Sequence, residues 1–382
     1  MPDVPTIVFY ISGHGFGHAS RDIEVINTLH ARHPEWRIVV RTGAPRWFFD
    51  SALRAPVQWE PAECDTGVTQ VDSLHVDVEE TLSRAAAFHE TLDARARADA
   101  AMPWLRTAAL VVGDIPPLAC LAAETAEVPC LALGNFSWDW IYEGYAETAR
   151  LAPRLVPAIR DAYRRANGAL RLPLHGGFEA FRTVIDVPFI ARRARRDPAK
   201  VREWLGVAAD ARLVLASFGG YGVRAFDAGA LGRLEGYTIL MTADVQAHRR
   251  DDAGASGSRS LQALSPAVRY VDERALGAAG FAYEDLVAAV DVVATKPGYG
   301  IIAECAANDT AILYTARGRF PEYDMLVREM PRYVRCEFIE PAELVAGRWQ
   351  GPLDRLVRRL PAPERADVTG AEVVAGILES FA

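Results

Sequence analysis

The 382 residues exceed what one ordinary hydrophobic core fills, so the length favours two domains. No apolar run approaches the ~20 residues that cross a bilayer, and the net charge of −8 argues against a general nucleic-acid binder. Met1 to Thr6 lacks a basic stretch followed by a long apolar one, which predicts no secretory signal and a cytoplasmic location. Cys64, Cys120, Cys130, Cys305 and Cys336 are scattered and without metal-ligand spacing, as in a reducing compartment.

Strands and helices alternate through the first half. Ile7–Ile11 reads as a short strand, and Arg21–Arg32 as a helix with Ile23, Ile26 and Leu29 on one face. Arg37–Arg41 is a second strand, followed by a helix through Phe48–Leu53 and a long Ala-rich helix over Glu79–Ala101. Strands at Ala109–Gly113 and Pro129–Leu133 flank a helix at Leu118–Ala126. Such alternation predicts a parallel sheet covered by helices. A connector around Asp186–Pro198 carries Arg192, Arg193, Arg195 and Arg196 and reads as a solvated linker face, with peripheral contact to anionic lipid as the lesser alternative.

The pattern then begins again. Strands are expected at Leu213–Ser217, Thr238–Thr242, Val268–Val271, Val290–Ala294 and Ala311–Tyr314, with a polar loop at His248–Ser260 and a last apolar helix from about Gly370 to Phe381. Two successive α/β units predict an N-terminal domain over 1–187 and a C-terminal domain over 188–382, with the last helix free to pack back on the first domain. Ligands of such sheets bind beyond the carboxyl ends of the strands.

Chemistry concentrates in the turns at those ends. Ser12-Gly-His-Gly-Phe-Gly-His-Ala-Ser-Arg21 directly follows the first strand. Gly13 and Gly15 fit a dinucleotide fingerprint, but His18 stands where close helix packing needs a third glycine, which disfavours a nicotinamide or flavin enzyme. The turn instead brings His14 and His18 to the sheet edge, where an imidazole can remove a hydroxyl proton near neutral pH. A helix cap or a structural water site is the alternative; a metal site lacks a nearby carboxylate or cysteine to complete it. Asp114 reaches the same rim, either holding an imidazole in one tautomer or capping a helix. Asn135-Phe-Ser-Trp-Asp-Trp-Ile-Tyr142 offers rings that grip an acceptor or fill the core.

In the second half, Thr295-Lys-Pro-Gly-Tyr-Gly-Ile-Ile-Ala-Glu304 joins a strand to a helix expected from about Ile301. Unpartnered N–H groups at a helix start, glycines that admit an anion, and the point charge of Lys296 together suit a diphosphate. Lysine occurs only at 200 and 296, so a lysine in this turn is unlike random filler. Glu304, one turn on, can accept hydrogen bonds from ribose hydroxyls. Gly219 and Gly220, in Ser217-Phe-Gly-Gly-Tyr-Gly222, can supply further backbone N–H groups to the same phosphates. Glu322, in Arg317-Gly-Arg-Phe-Pro-Glu-Tyr323, can accept from the hydroxyls of a hexose or be a surface loop acid.

Taken as an ordered set, these residues resemble the GT-B glycosyltransferases over nearly the whole chain, above all the peptidoglycan N-acetylglucosaminyltransferase and the UDP-dependent glycosyltransferases. The opening Ser-Gly-His-Gly-Phe-Gly-His also resembles the transferase-like amino-terminal half of plant arabinokinases. The resemblance implies an α/β fold of two Rossmann-like domains facing across a cleft. It places Gly17, Gly298, Tyr299, Gly300 and Arg317 on the donor side, Glu304 on the ribose, Glu322 and Tyr323 on the donor sugar, and Val271 and Phe281 near the base. It makes His18 the base and Asp114 its acidic partner, with His14 as a second candidate base. The activity implied is inverting, metal-independent transfer from a UDP-sugar to an acceptor hydroxyl, with no cofactor and with Trp138, Trp140 and Tyr142 toward the acceptor. That acceptor is a sugar, a lipid-linked intermediate or a small aglycone. An epimerase or hydrolase of the same fold, or a non-catalytic nucleotide-sugar-binding protein, is the alternative.

Overall fold

The computed structural model describes residues 4–218, 228–242, 261–265 and 267–381. The expected loop at His248–Ser260 and the glycines Gly219 and Gly220 lie outside the described residues. Among the described residues no helix is long and apolar enough to cross a membrane.

The described residues within Met1–Thr69, Val76–Ala191 and Asp367–Ala382 form one compact unit. Its seven strands are β1 (Thr6–Ile11), β2 (Arg37–Thr42), β3 (Gln58–Pro61), β6 (Leu110–Asp114), β7 (Cys130–Phe136), β8 (Gly168–Gly176) and β9 (Val184–Asp186); the short pair β4 (Gln70–Asp72) and β5 (His75–Val76) is not part of this sheet. The sheet order is β3-β2-β1-β6-β7-β8-β9, and every pairing is parallel. All six residues of β1 are buried, as an unbroken apolar run in the middle of a parallel sheet must be when helices cover both faces. The strand order reverses between β1 and β6, where Ile11 lies opposite Asp114. A parallel α/β sheet opens to ligands at such a reversal.

The last helix, Gly370–Glu379, belongs to this unit. Val374 and Leu378 join Ile23, Ile26 and Leu29 of the helix Gly17–Arg32 in one core, and Glu379 accepts from Arg32 Nη1 (3.2 Å) and His33 Nε2 (3.1 Å). Gly370 starts that helix against the backbone of residues 188 and 189. A Cβ there would sit 2.3 Å from Pro188 O and 2.7 Å from Phe189 O, and its own N–H donates to Phe189 O at 3.0 Å. Gly370→Ala is therefore expected to lower the unfolding free energy by about 1–3 kcal/mol, the cost of overpacking a filled site; urea unfolding of the purified variant measures it.

Two expectations change in this unit. The long helix over Glu79–Ala101 is two helices, Val78–Glu90 and Leu92–Ala100. At Thr91 the hydroxyl donates to Phe88 O (3.0 Å) and the N–H takes the same carbonyl (3.1 Å), which tightens the turn and breaks the α ladder. The strand expected to end at Leu133 runs on to Phe136, because β8 still pairs with it there, Gly134 opposite Arg171 and Phe136 opposite Gly176.

The second unit comprises the described residues within Gln70–His75 and Arg192–Ala366. Its strands are β10 (Arg212–Ala216), β11 (Tyr237–Thr242), β12 (Leu261–Ser265), β13 (Val268–Val271), β14 (Val292–Thr295), β15 (Ala311–Thr315) and β16 (Cys336–Ile339), in the order β12-β13-β11-β10-β14-β15-β16. Only the β12–β13 pairing is antiparallel. The order reverses between β10 and β14, so the turns after Ala216 and Thr295 share the ligand edge. Val214, Ile239, Val292, Leu313, Trp349 and Leu353 fill the core, and the buried Trp349 indole donates to Leu344 O at 2.8 Å. Ser73, contributed from the first half of the chain, donates through Oγ to Phe218 O at 2.6 Å.

Candidate functional site

The turn after β1 sets the first cluster. Gly15 has φ +69°, a conformation glycine adopts without strain, and it turns the chain into the helix Gly17–Arg32. That helix begins four residues earlier than its hydrophobic pattern predicts, so His18 lies in the first turn and Arg21 one turn further on the same face. His18, Arg21 and Asp114 are all buried. His18 Nδ1 is 2.8 Å from Asp114 Oδ1, and the Arg21 guanidinium forks onto both Asp114 oxygens through Nε and Nη2. Arg21 Nη1 donates to Asn135 Oδ1 at 2.7 Å, while Asn135 Nδ2 donates to Pro173 O at 2.7 Å, which fixes the amide's orientation.

Burial works to raise the Asp114 carboxyl, but the charges and hydrogen bonds of Arg21 and His18 outweigh it and hold Asp114 well below the usual carboxylate range. An ionised Asp114 only accepts. Arg21 Nη2 also lies 2.8 Å from His18 Nδ1. The tautomer with its proton on Nδ1 satisfies Asp114 and leaves Nε2 as the basic nitrogen. Asp22, fully buried on the same helix, is pushed well above the usual carboxylate value by burial and then by the Asp114 charge.

Asp65 closes the cluster. It follows β3, and its oxygens accept from Ser12 Oγ (2.9 Å) and Trp138 Nε1 (2.8 Å). Burial pushes its carboxyl up to about 6, opposed by the His18 charge and those two bonds. A carboxyl raised above its unfolded value binds protons more readily when folded, so its contribution to stability is present below about pH 4 and lost as pH rises to about 6. Between those limits the wild type is expected to lose roughly 2–3 kcal/mol more unfolding free energy than Asp65→Asn, measured by urea titrations across the range. Arg21, Asn135 and Asp65 had no predicted role. Arg21 stands three residues after His18 in the quoted turn, and Asp65 follows a strand at the ligand edge, which are the signals that mark them.

His14 belongs to the same cluster. Its ring lies 5.8 Å edge-on from Trp138, and a Cβ on Gly67 (φ +58°) would collide with it at 2.6 Å. The aromatic expectations need correction. Trp138 and Tyr142 lie four apart on the helix Trp138–Glu143, facing inward, each about 1 % exposed. Their rings stack at 5.6 Å, Tyr142 Oη donates to Gly67 O (2.9 Å), and Trp138 stands 6.3 Å from the His18 ring with Phe136 at 5.5 Å. They wall the imidazole and offer no open face to an acceptor. Trp140, on the other side of that helix, is partly exposed and packs over Gly176.

In the second unit the helix Tyr299–Ala307 starts two residues before the predicted Ile301, with Gly298 in extended form at its N-cap. A Cβ on Gly298 would meet open space, so nothing within the chain demands glycine there. Gly300 lies in the first turn, and Tyr299 and Gly300 are partly exposed. Ser217 N donates to Ala294 O (3.0 Å), holding the start of the turn after β10 against β14, and Ser217 Oγ accepts from Tyr283 Oη at 2.8 Å. Lys296 is partly exposed. Burial first, and the neighbouring Arg317 second, push its ammonium well below the usual lysine value, with Glu322 opposing.

Glu304 is buried and accepts from Arg192 Nε (2.7 Å) and Nη2 (2.5 Å), while Arg192 Nη1 lies 3.5 Å from Glu284. Arg192 is thus not part of a solvated linker face: two carboxylates draw it inward, and Asp285 Oδ1 accepts from the backbone of Arg195 (2.7 Å) and Arg196 (3.0 Å). Glu322 is also buried, accepting from Arg317 Nη1 at 2.8 Å, so it is not a surface loop acid. The Arg317 guanidinium lies 3.6 Å from the Phe320 ring centroid, and Tyr323 is partly exposed. Val271 is fully buried at the end of β13, so its side chain faces the core and not a base; Phe281 is partly exposed beside Trp204.

No family model matches the chain. It is 32 % identical over 383 residues to the L-arabinokinase of Arabidopsis thaliana, an alignment covering 98 % of this chain and 34 % of that protein. The chain thus spans about a third of that relative's length. Among solved structures it resembles the glycotransferase of kitacinnamycin (TM-score 0.62, 16 % identity, all of both chains) and the calicheamicin glycosyltransferase CalG4 (0.58, 17 %, 99 % of this chain and 98 % of that one). At these identities the likeness establishes a common fold.

Proposed function

We propose, from the premise that this chain has the GT-B fold, that it transfers a sugar from a nucleotide-sugar donor to an acceptor hydroxyl with inversion at the anomeric carbon. The observation that carries this reading is the buried His18–Asp114–Arg21 network at the strand-order reversal of the first sheet. Ionised Asp114 holds the Nδ1 proton, and Nε2 takes the acceptor's hydroxyl proton. The acceptor oxygen bonds to the anomeric carbon as the bond from that carbon to the phosphate oxygen breaks, its electron pair leaving with the diphosphate. One base and one displacement give inversion.

Support for the leaving group comes from the second unit. The nine-residue helix Tyr299–Ala307 carries the positive end of its peptide dipoles at its start, Gly298 leaves room for an anion to approach, and Lys296 adds charge at the same edge. Lys296 would share beside a phosphate the load that a divalent cation carries in other transferases, which is why we expect metal-independent turnover. Glu304 and Glu322 reach a donor only in company with Arg192 and Arg317, so hydroxyls of the nucleotide and the sugar would meet carboxylate–guanidinium pairs.

Incubation with a panel of UDP-sugars and hydroxyl acceptors, with and without chelator, tests the reading. Released UDP matched by an equal amount of glycoside with inverted anomeric configuration is expected. Sugar-nucleotide conversion without acceptor would replace transfer by epimerisation or hydrolysis, and UDP binding without turnover of any pair would leave a binding protein.

A further inference from the structure

Residues Gln70–His75, which hold β4 and the start of β5, belong to the second unit, although the chain on either side of them belongs to the first. Strands of three and two residues cannot hold a hairpin together in water, so whatever its tip packs on fixes its place. Burial is concentrated at that tip. Ser73 is 0 % exposed and Leu74 8 %, while Val71 is 55 % exposed and the His75 side chain stands in solvent. Asp72 shapes the tip from within: its carboxylate accepts from Leu74 N at 2.7 Å and from His75 Nδ1 at 2.9 Å.

The tip meets the ligand edge of the second sheet at two points. Ser73 Oγ donates to Phe218 O (2.6 Å), in the turn after β10 that leads directly into Gly219 and Gly220. In the turn after β15, Gly318 has φ +35° and lies so close to the hairpin that a Cβ there would collide with Leu74 O. Gly318 follows Arg317 and precedes Glu322 in the same turn. β10 and β15 flank β14, so these two turns stand on either side of the one that carries Lys296 and Gly298. Among the described residues, none of 70–75 joins the apolar core of the second unit. The hairpin braces turns and not the core.

We infer that Ser73 and Leu74 are positioning residues of the donor site: the tip holds the turns after β10 and β15 in the arrangement that a nucleoside diphosphate sugar requires. The inference deepens the proposed transfer reaction and rests on its placing of the donor at this edge. Turns at strand ends are the mobile part of an α/β unit. When such turns are competent to bind for only a fraction of the time, affinity falls by that fraction, while the chemical step of the bound complex is untouched. The Ser73 hydroxyl fixes the turn that precedes Gly219 and Gly220, and the Leu74 carbonyl against Gly318 fixes the turn that presents Arg317 and Glu322. The hairpin acts through those turns, so its effect belongs to donor binding and not to kcat.

The test uses the full chain, with UDP and UDP-glucose as probes. Kd is read by calorimetry without acceptor, and KM and kcat from turnover, in wild type, Ser73→Ala, Gly318→Ala, the double variant and Gly236→Ala. Gly236 has φ +76° just before β11, at the other end of the sheet, and a Cβ there would meet nothing within 4 Å. Its alanine variant therefore strains the backbone in the same way but away from the ligand edge. Ser73→Ala is expected to raise Kd and donor KM about five- to ten-fold, a loss the size of one buried hydrogen bond, with kcat at saturating donor within about two-fold of wild type. Gly318→Ala should do as much or more, and the double variant should fall short of the product of the two, because both changes undo one docking. Gly236→Ala is expected to lower the melting temperature and leave Kd unchanged. The inference is overturned if Ser73→Ala and Gly318→Ala bind both probes as wild type does, if Gly236→Ala weakens binding equally, or if wild type binds neither probe. Turnover by a wild type whose donor affinity ignores the hairpin sinks the positioning role and leaves transferase activity standing. Hairpin-dependent binding without turnover of any donor and acceptor sinks the transferase reading instead.

Discussion

Replacing His18 with alanine is expected to lower the transfer rate by about 10²–10⁴-fold, the usual worth of a positioned general base, while UDP affinity stays within two-fold or so of wild type. In the proposed reaction the helix Tyr299–Ala307, which the imidazole does not build, would take the donor's diphosphate. The variant also leaves Asp114 with its guanidinium partner, so the ion pair survives and folding should be little changed. Full loss of UDP binding would mean that His18 holds the donor. Undiminished turnover would move the base to His14, whose ring shares the Trp138 wall. His14→Ala, assayed beside it, decides between the two.

The sequence carried the fold more completely than the site, for a physical reason. Parallel strands buried on both faces are written as unbroken apolar runs, so β1, β6, β10 and β14 were legible within one or two residues. The turns after them were legible because glycine and histidine are rare neighbours at a strand end. What pairs with what was not legible. Whether Arg192 is a linker charge or the partner of Glu304 depends on a contact across 112 positions, which no local pattern encodes. Asp65 and Asn135 reach the His18 cluster from strands two places apart in the sheet on either side of it, and only the strand order brings them there. The aromatic segment failed in a different way. Its composition suits an acceptor surface and a core equally well, and the four-residue spacing of Trp138 and Tyr142 on one helix decides for the core.

Asp114→Asn is expected to cost more than His18→Ala, because it strikes both chemistry and stability. An asparagine amide presents one acceptor and one donor where the carboxylate presents two acceptors, so it cannot receive both arms of the Arg21 fork and the His18 N–H together. If its NH₂ faces Nδ1, the imidazole takes the opposite tautomer, the proton moves to Nε2, and the base is lost; an amide in the corresponding place of a Ser-His-Asp triad lowers kcat by about 10⁴-fold. Arg21 meanwhile keeps its bond to Asn135 but loses the carboxylate that faced its buried charge, a loss of about 3–5 kcal/mol when a buried pair is broken. Turnover measured well below the variant's melting temperature separates the two losses. A fall in kcat at full folded fraction, with KM for the donor unchanged and the pH–rate profile displaced, is the expected result. A variant that unfolds more readily yet turns over at the wild-type rate when folded would make Asp114 a structural counter-ion to Arg21 and nothing more.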